Sequence, residues 1–174
     1  MLLQRIQQQF IDSADLKYQC AQSLAPMVES AIAAVLASVT GGGKVLACGN
    51  GASAAAAQHF AASFVVRYER ERPELAAFSL SSDAAVLTGI ANDFDARAVF
   101  ARQVRALGQA GDVLLALSTS GNSANVLAAV EAAHEREMVV VALSVAPKAA
   151  TASAAAAMRW MEGVFLIWLM WHSP

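Results

Sequence analysis

The chain reads DVLLALSTSGNSA from Asp112 to Ala124. Its first part, residues 113–117, is short and wholly apolar, as expected of a strand buried on both faces of a parallel sheet. Its second part, residues 118–123, is a loop of small polar residues, and a helical pattern begins at Ala124. The stretch therefore predicts a strand, a loop and a helix in that order.

The same design occurs once earlier in the chain. The short apolar run at 45–48 is followed by the loop at 49–53 and then by a helical pattern from Ala54. Loops at the carboxyl ends of parallel strands are where ligands bind in open α/β sheets. The two loops are therefore the first candidates for a binding site.

The rest of the chain alternates in the same way. Apolar residues recur at helical spacing from residue 3 to about 39, and Pro26 is expected to divide this stretch into two helices. The other predicted elements are helices at 54–68 and 124–136, strands at 75–80 and 138–143, and two helical pieces within 83–107. This order predicts a three-layer α/β fold, a mostly parallel sheet flanked by helices, with an N-terminal helical pair.

Composition predicts buried surface beyond that of a single domain. Apolar residues make up 57% of the chain, above the ~45–50% of typical soluble domains. Much of the excess is alanine, which suits close-packed helices and an oligomer. The apolar run at 164–171 is shorter than the ~20 residues that a spanning helix needs. It is interpreted as a core or interface helix, with a membrane anchor as the alternative, and no membrane partner is expected.

Charge and cysteine content exclude other classes. The formal net charge is −2 without a basic stripe, which disfavours direct nucleic-acid binding because phosphate-backbone contacts need clustered Lys and Arg. The alternating charges at 67–72 predict a solvated helix end and loop. Cys20 and Cys48 lack metal-ligand spacing, which is typical of buried free thiols in a reducing compartment, here the cytoplasm.

The loop at 118–123 has the chemistry of a phosphate site. It carries the hydroxyls of Ser118, Thr119, Ser120 and Ser123, and the helix after it offers unpaired N–H groups and a positive dipole end. An anion is stabilised there without any basic side chain. The alternative is that these residues only form the loop and cap the helix. Neither loop is a Walker A or GxGxxG sequence, so nucleotide binding is not favoured.

Five runs of sequence resemble the bacterial phosphoheptose isomerase family, which includes sedoheptulose-7-phosphate isomerase and its relative, the DnaA-initiator-associating protein DiaA. These runs are GNGAS at 49–53, AQHFAA at 57–62, LTGIAND at 87–93, FARQVRALG at 100–108, and GDVLL through STSGNS at 111–123.

The resemblance implies an SIS (sugar isomerase) domain over residues 1–144, followed by a divergent segment at 145–174. It also implies a homotetramer with a phosphosugar site shared between subunits. Together, the resemblance and the loop chemistry give these candidate ligands: Ser53, Ser118, Thr119, Ser120 and Ser123 for the phosphate, and Asn50, Gly51, Asp83 and Asp93 for the sugar pocket.

The chain departs from the isomerase pattern at one catalytic position. The family carries His-x-x-x-Glu, in which both side chains share one helix face and the carboxylate suits proton transfer through an enediol. Here His59 is followed at i+4 by Ser63. His59 is the catalytic and metal candidate, with a pocket-lining histidine as the alternative. No cofactor is expected, and zinc only if the protein is an isomerase.

The second departure lies after Ser144, where the resemblance ends. The family's later histidine motif is missing, and an alanine-rich run takes its place. The preferred function is therefore a non-catalytic, DiaA-like phosphosugar-binding adaptor, with DnaA as a candidate partner. The alternatives are an active phosphoheptose isomerase, which converts sedoheptulose 7-phosphate to glycero-manno-heptose 7-phosphate, and an altered gene product without stable activity.

Overall fold

The computed structural model describes residues 1–144 and 159–162. In chain order, the elements are α1 (Leu2–Thr40), β1 (Val45–Gly49), α2 (Ala52–Val65), β2 (Ala77–Ser79), α3 (Ala84–Asp93), a 3-10 turn (Ala96–Ala98), α4 (Ala101–Leu107), β3 (Val113–Leu117), α5 (Ala124–Glu135), β4 (Val139–Ser144) and β5 (Arg159–Glu162).

Within these residues, five parallel strands form one sheet in the order β2-β1-β3-β4-β5. The central strands β1 and β3 are almost fully buried, as their apolar sequences predict. Gly49 at the end of β1 pairs with Leu117 at the end of β3. The two loops that follow therefore leave the sheet side by side, about 4.8 Å apart at their first residues.

Helices cover both faces of the sheet, which confirms the three-layer prediction. One buried cluster joins the sheet to α4 and α5 through side chains such as Phe100, Val104 and Val130. The other joins the opposite face to α1 and α2 through Leu24 and Ala57. Burial of apolar surface stabilises the folded state by about 25 cal/mol for each Å² removed from water. The two clusters therefore hold the helix layers on the sheet.

The prediction of two N-terminal helices was wrong. α1 is one helix of 39 residues with Pro26 inside it. Proline removes one backbone hydrogen bond and crowds the preceding turn. The flanking turns, however, pack onto the sheet through Leu24, Met27 and Val28. Tertiary packing therefore outweighs the local cost of the proline.

A strand follows the point at which the family resemblance ends. β5 pairs in parallel with β4, from Val141 opposite Arg159 to Ser144 opposite Glu162. The sequence pattern predicts no strand at 159–162, so β5 is a finding of the structure. The apolar run at 164–171 lies outside the described residues, as does the alanine-rich stretch up to residue 158.

Of the described helices, α1 is long and apolar enough to cross a membrane by length and composition alone. A core helix of a soluble protein passes the same test. Here the second half of α1 packs against the sheet through Leu24, Val28 and Val35. Its first half instead exposes large apolar side chains, namely Leu2, Leu3, Ile6, Phe10 and Ile11.

The charged run at 67–72 has a more specific role than a solvated loop. The Arg72 guanidinium donates to the carbonyls of Ser63 at 2.6 Å and Phe64 at 2.8 Å. These carbonyls belong to the last turn of α2, where the C=O groups have no N–H donor from within the helix. Arg72 thereby ends the helix that carries His59.

Candidate functional site

The β3–α5 loop places four hydroxyl side chains at the start of a helix. Ser118 is buried, whereas Thr119 and Ser120 are exposed. Gly121 adopts the left-handed region, with φ 64°, and its N–H donates to the Ser118 carbonyl at 3.1 Å. This turn folds the loop back over the first residues of α5.

Ser123 stands at the N-cap of α5 but makes no capping hydrogen bond. Its hydroxyl instead accepts from the Ser118 hydroxyl at 3.2 Å. Because a hydroxyl both donates and accepts, each of the two serines keeps hydrogen-bonding capacity for a ligand beside this contact. Of the alternative that these residues only form the loop and cap the helix, the capping part does not hold at Ser123. The loop-forming part stays open, since the Ser120 hydroxyl accepts from the Asn122 N–H at 3.2 Å.

The floor beneath the loop is apolar. A small cavity there is lined by the following residues: Ala116, Ser118, Gly121, Ser123, Val126, Leu127, Val130 and Ala142. Hydroxyl and N–H groups next to such a floor bind an anion more strongly than they would in water, because the local dielectric constant is low.

The β1–α2 loop adds Asn50, Gly51 and Ser53. Gly51 adopts φ 56° at the N-cap of α2, where a side chain would be strained. At Gly49, an added Cβ would lie 2.7 Å from that of Ser53, so only glycine lets the helix approach the strand this closely. Ser53 is consequently buried at the first turn of α2, beside the end of β1.

A third loop reaches the same edge of the sheet. After β2, the Ser81 hydroxyl donates to the Gly49 carbonyl at 3.0 Å, which joins this loop to the β1–α2 loop. Asp83 then caps α3, and its carboxylate accepts from the Val86 N–H at 3.1 Å. Part of the Asp83 carboxylate is thus already engaged in holding the helix.

Asp93 lies at the other end of α3. Asp93 is the tenth residue of α3, which Asp83 caps. The distance between the two along the helix axis is therefore about 15 Å, at 1.5 Å per residue. The Asp93 carboxylate accepts from the neighbouring Asn92 amide at 2.8 Å. Within one chain, the structure therefore does not bring the two predicted aspartates together.

His59 and Ser63 lie on the exposed face of α2. Ser53 and Ala57 are on its buried face, and the six residues from Ser53 to His59 correspond to a rotation of about 240°. The Ser63 hydroxyl donates to the His59 carbonyl at 2.9 Å. Ser63 therefore acts as a helix hydroxyl, and nothing in its contacts would make it a base.

A zinc site does not assemble from the described residues. In this part of the chain, no three His, Cys, Asp or Glu side chains come close enough to hold a metal ion. Zinc takes three or four ligands of this kind. His59, followed by Ser63 in place of a carboxylate, does not fit such a site, so no catalytic step through zinc is derived.

Two contributors to this region had not been predicted. The side chain of Asn125 pairs with that of Asn50, and Ser81 joins two loops. Asn125 lies two residues after the loop at 118–123, and a polar side chain at that position in the first turn of α5 is a signal for a residue of the site. Ser81 had no comparable signal, because its contact is 32 residues away in sequence.

The chain is similar over most of its length to known sugar-isomerase proteins. The family profile of the SIS domain matches residues 9–145. A phosphoheptose isomerase from Methylibium petroleiphilum is 60% identical over 144 residues, which covers 83% of this chain and 72% of that protein. One from Azoarcus sp. is 57% identical over 143 residues, covering 82% and 73%.

The chain belongs to the phosphoheptose isomerase family of SIS-domain proteins. Solved structures of this family agree with the fold. The phosphoheptose isomerase GmhA from Neisseria gonorrhoeae matches with a TM-score of 0.81 and 40% identity, covering 98% of this chain and 97% of that one. A phosphoheptose isomerase from Francisella tularensis gives 0.80 and 34%, covering 94% and 87%.

Family membership confirms the resemblance and the fold predicted from the sequence. The relatives and structures named here are called isomerases, which favours the isomerase alternative over the DiaA-like adaptor. The predicted ligand residues, zinc, tetramer, DnaA partnership and cytoplasmic location stay predictions.

Proposed function

We propose that this protein binds a sugar phosphate, with the phosphate on the β3–α5 loop and the sugar toward the β1–α2 loop. The observation that carries the proposal is Ser123, which occupies an N-cap without capping and accepts from the Ser118 hydroxyl. Helix N-terminal amides and these hydroxyls are suited to phosphate oxygens. The phosphoheptose isomerase name of the relatives identifies the candidate class of sugar, a seven-carbon sugar phosphate.

Thermal unfolding tests this binding in the intact chain. A ligand that binds only the folded state stabilises it by about 2.7 kcal/mol at 100 times its Kd. Sedoheptulose 7-phosphate should raise the melting midpoint of the wild type, and the increase should shrink in Ser120→Ala. A midpoint that does not move at millimolar sedoheptulose 7-phosphate would refute the proposal.

For the reaction, we propose aldose–ketose isomerisation of sedoheptulose 7-phosphate. Identity of 60% to a protein of this name supports it. The chemistry needs a base that moves a proton between adjacent carbons. His59 is the candidate on α2, but it faces away from Ser53 within one chain, so a site shared between subunits would be required.

Turnover decides whether the protein is an isomerase. Wild-type protein should convert sedoheptulose 7-phosphate to the aldose, and His59→Ala should lose at least about 100-fold in kcat, the usual contribution of a general base. Ser63→Ala is the matched control and should retain activity, because its hydroxyl serves the helix backbone. No turnover by folded protein that binds the ligand would exclude this reaction.

A non-catalytic adaptor role is the second candidate, and Ser63 is the observation that favours it. A hydroxyl that donates to the His59 carbonyl cannot replace the carboxylate of the isomerase pattern. On this hypothesis the protein binds the sugar phosphate without turnover and contacts the initiator DnaA. Pull-down with purified DnaA tests the contact, and recovery of no DnaA would count against it.

We also infer that the protein self-associates, with the homotetramer as the proposed state. Within the described part of the chain, the first half of α1 exposes large apolar side chains, among them Leu3, Ile6 and Phe10. Large exposed apolar patches mark protein interfaces. The cytoplasm is the proposed location.

A further inference from the structure

Two asparagine side chains join the loops that follow the central strands. The Asn50 amide nitrogen donates to Asn125 Oδ1 at 2.9 Å, and the Asn125 amide nitrogen donates to Asn50 Oδ1 at 2.8 Å. Asn50 belongs to the β1–α2 loop, and Asn125 lies in the first turn of α5. The pair therefore spans the mouth between the proposed sugar and phosphate ends of the site.

A third hydrogen bond fixes the orientation of both amides. Asn125 Oδ1 also accepts from the Val126 backbone N–H at 3.0 Å. A backbone N–H can only donate, so the atom facing it must be oxygen. The Asn125 nitrogen must then face Asn50, which determines the positions of oxygen and nitrogen in Asn50 as well.

The Asn50 amide keeps part of its capacity for a ligand. Its nitrogen has a second hydrogen, and its oxygen has a second lone pair. The side chain is exposed, so both can meet solvent or a bound molecule. One donor and one acceptor at fixed positions match the hydroxyl groups of a sugar, each of which both donates and accepts.

We propose that Asn125 is a positioning residue, which holds the Asn50 amide in one orientation for the hydroxyls of the bound sugar. The proposal rests on the proposed sugar-phosphate binding and adds to it a residue that acts through another. Without Asn125, the Asn50 side chain would have to be ordered when the sugar binds. Ordering one side chain costs about 0.5–1.5 kcal/mol, so affinity should fall roughly two- to thirteenfold.

Calorimetry with two ligands tests this role. Dissociation constants of sedoheptulose 7-phosphate and of inorganic phosphate are measured for the wild type, Asn125→Ala, Asn50→Ala and the double variant. Asn125→Ala should weaken binding of the sugar phosphate roughly two- to thirteenfold and leave binding of inorganic phosphate unchanged, because inorganic phosphate needs only the serine loop. In the Asn50→Ala background, the same change should have no further effect.

Gln109→Ala is the matched control, since Gln109 is an exposed amide before β3, at the opposite end of that strand. Asn125→Ser guards against misfolding, because serine suits a helix start but is too short to reach Asn50. It should show the same selective loss as Asn125→Ala.

Three results would overturn the inference while leaving the proposed function intact: unchanged sugar-phosphate affinity in both Asn125 variants, equal losses for both ligands, or a full additional loss in the Asn50→Ala background. A wild type that does not bind sedoheptulose 7-phosphate would overturn the proposed function and this inference together.

Discussion

Cys48 shows how completely the sheet beneath the site excludes water. It lies in the central strand β1 and is fully buried. Burial raises the pKa of its thiol from 9.0 to about 12, although a backbone hydrogen bond with Leu117 opposes part of the rise. The thiol is therefore neutral at physiological pH, as the sequence interpretation of a buried free cysteine predicts.

Cys48 should resist alkylation while the protein is folded. In a Cys20→Ser variant, iodoacetamide at pH 8 should leave Cys48 unmodified in buffer and modify it in urea, because only the thiolate reacts. Mass spectrometry of the intact chain measures the product. Equal rates of modification in buffer and in urea would show that β1 is not buried.

The same thiol predicts a pH dependence of stability. The folded state holds the proton up to about pH 12, whereas the unfolded chain releases it near 9.0. The contribution of Cys48 to the free energy of unfolding is therefore complete below pH 9 and is lost as pH rises from 9 toward 12. Urea unfolding of wild type and Cys48→Ala at pH 8 and 10.5 should show the steeper loss in the wild type.

At the scale of elements, the bounds of helices and strands were predicted best where the local pattern of apolar and polar residues agrees with burial. The apolar strand, polar loop and helix at 113–135 were predicted to within a residue, because each part has a distinct composition. Strand β1 ends one residue later than predicted, β4 is displaced by one residue, and β2 is shorter than the predicted 75–80. Strand ends depend on pairing with neighbours, which a local pattern does not contain.

The errors have physical causes of the same kind. Pro26 is a helix breaker by local rules, yet packing on the sheet keeps α1 continuous. β5 follows an alanine-rich segment and becomes a strand by pairing with β4. The Asn50–Asn125 pair joins residues 75 positions apart. None of these contacts leaves a periodic signal in the sequence.

Replacing Pro26 should stabilise α1. Pro26→Ala restores one backbone donor and removes the ring from the helix interior. Proline is about 3 kcal/mol less favourable than alanine inside a helix, so the free energy of unfolding should rise by up to about 3 kcal/mol. Urea unfolding measures this free energy. Ala33→Gly on the same helix is the control and should lower it, because glycine is less favourable than alanine inside a helix. A decrease in Pro26→Ala would mean that the helix does not continue through this position.

At the scale of the whole molecule, the first half of α1 leaves large apolar side chains exposed among the residues that the structure describes. The second half of α1 packs on the sheet, whereas Phe10 near the start is 73% exposed. The 57% share of apolar residues predicts an additional buried surface, but composition does not say where that surface lies. The candidate surface lies on the first half of α1, far in sequence from the β1–α2 and β3–α5 loops.

Placing a charge on this surface should weaken self-association. Phe10→Glu would put a carboxylate where an interface needs apolar contact, and desolvating an unpaired charge is costly. Sedimentation velocity should show the wild type as an oligomer and Phe10→Glu shifted toward monomer at equal concentration. Gln9→Glu adds the same charge at a neighbouring polar position and is the control. A monomeric wild type would contradict the inferred assembly.

Isothermal titration calorimetry of the whole protein tests whether the loop at 118–123 holds the phosphate of a sugar phosphate. Sedoheptulose 7-phosphate should bind, and unphosphorylated sedoheptulose should not at the same concentration. Ser123→Ala should weaken binding about 10- to 100-fold, since a hydrogen bond to a charged group contributes about 1.5–3 kcal/mol. Ser30→Ala, whose hydroxyl bonds only within α1, should bind as the wild type does. Equal affinity for both sugars, or full affinity in Ser123→Ala, would contradict the account.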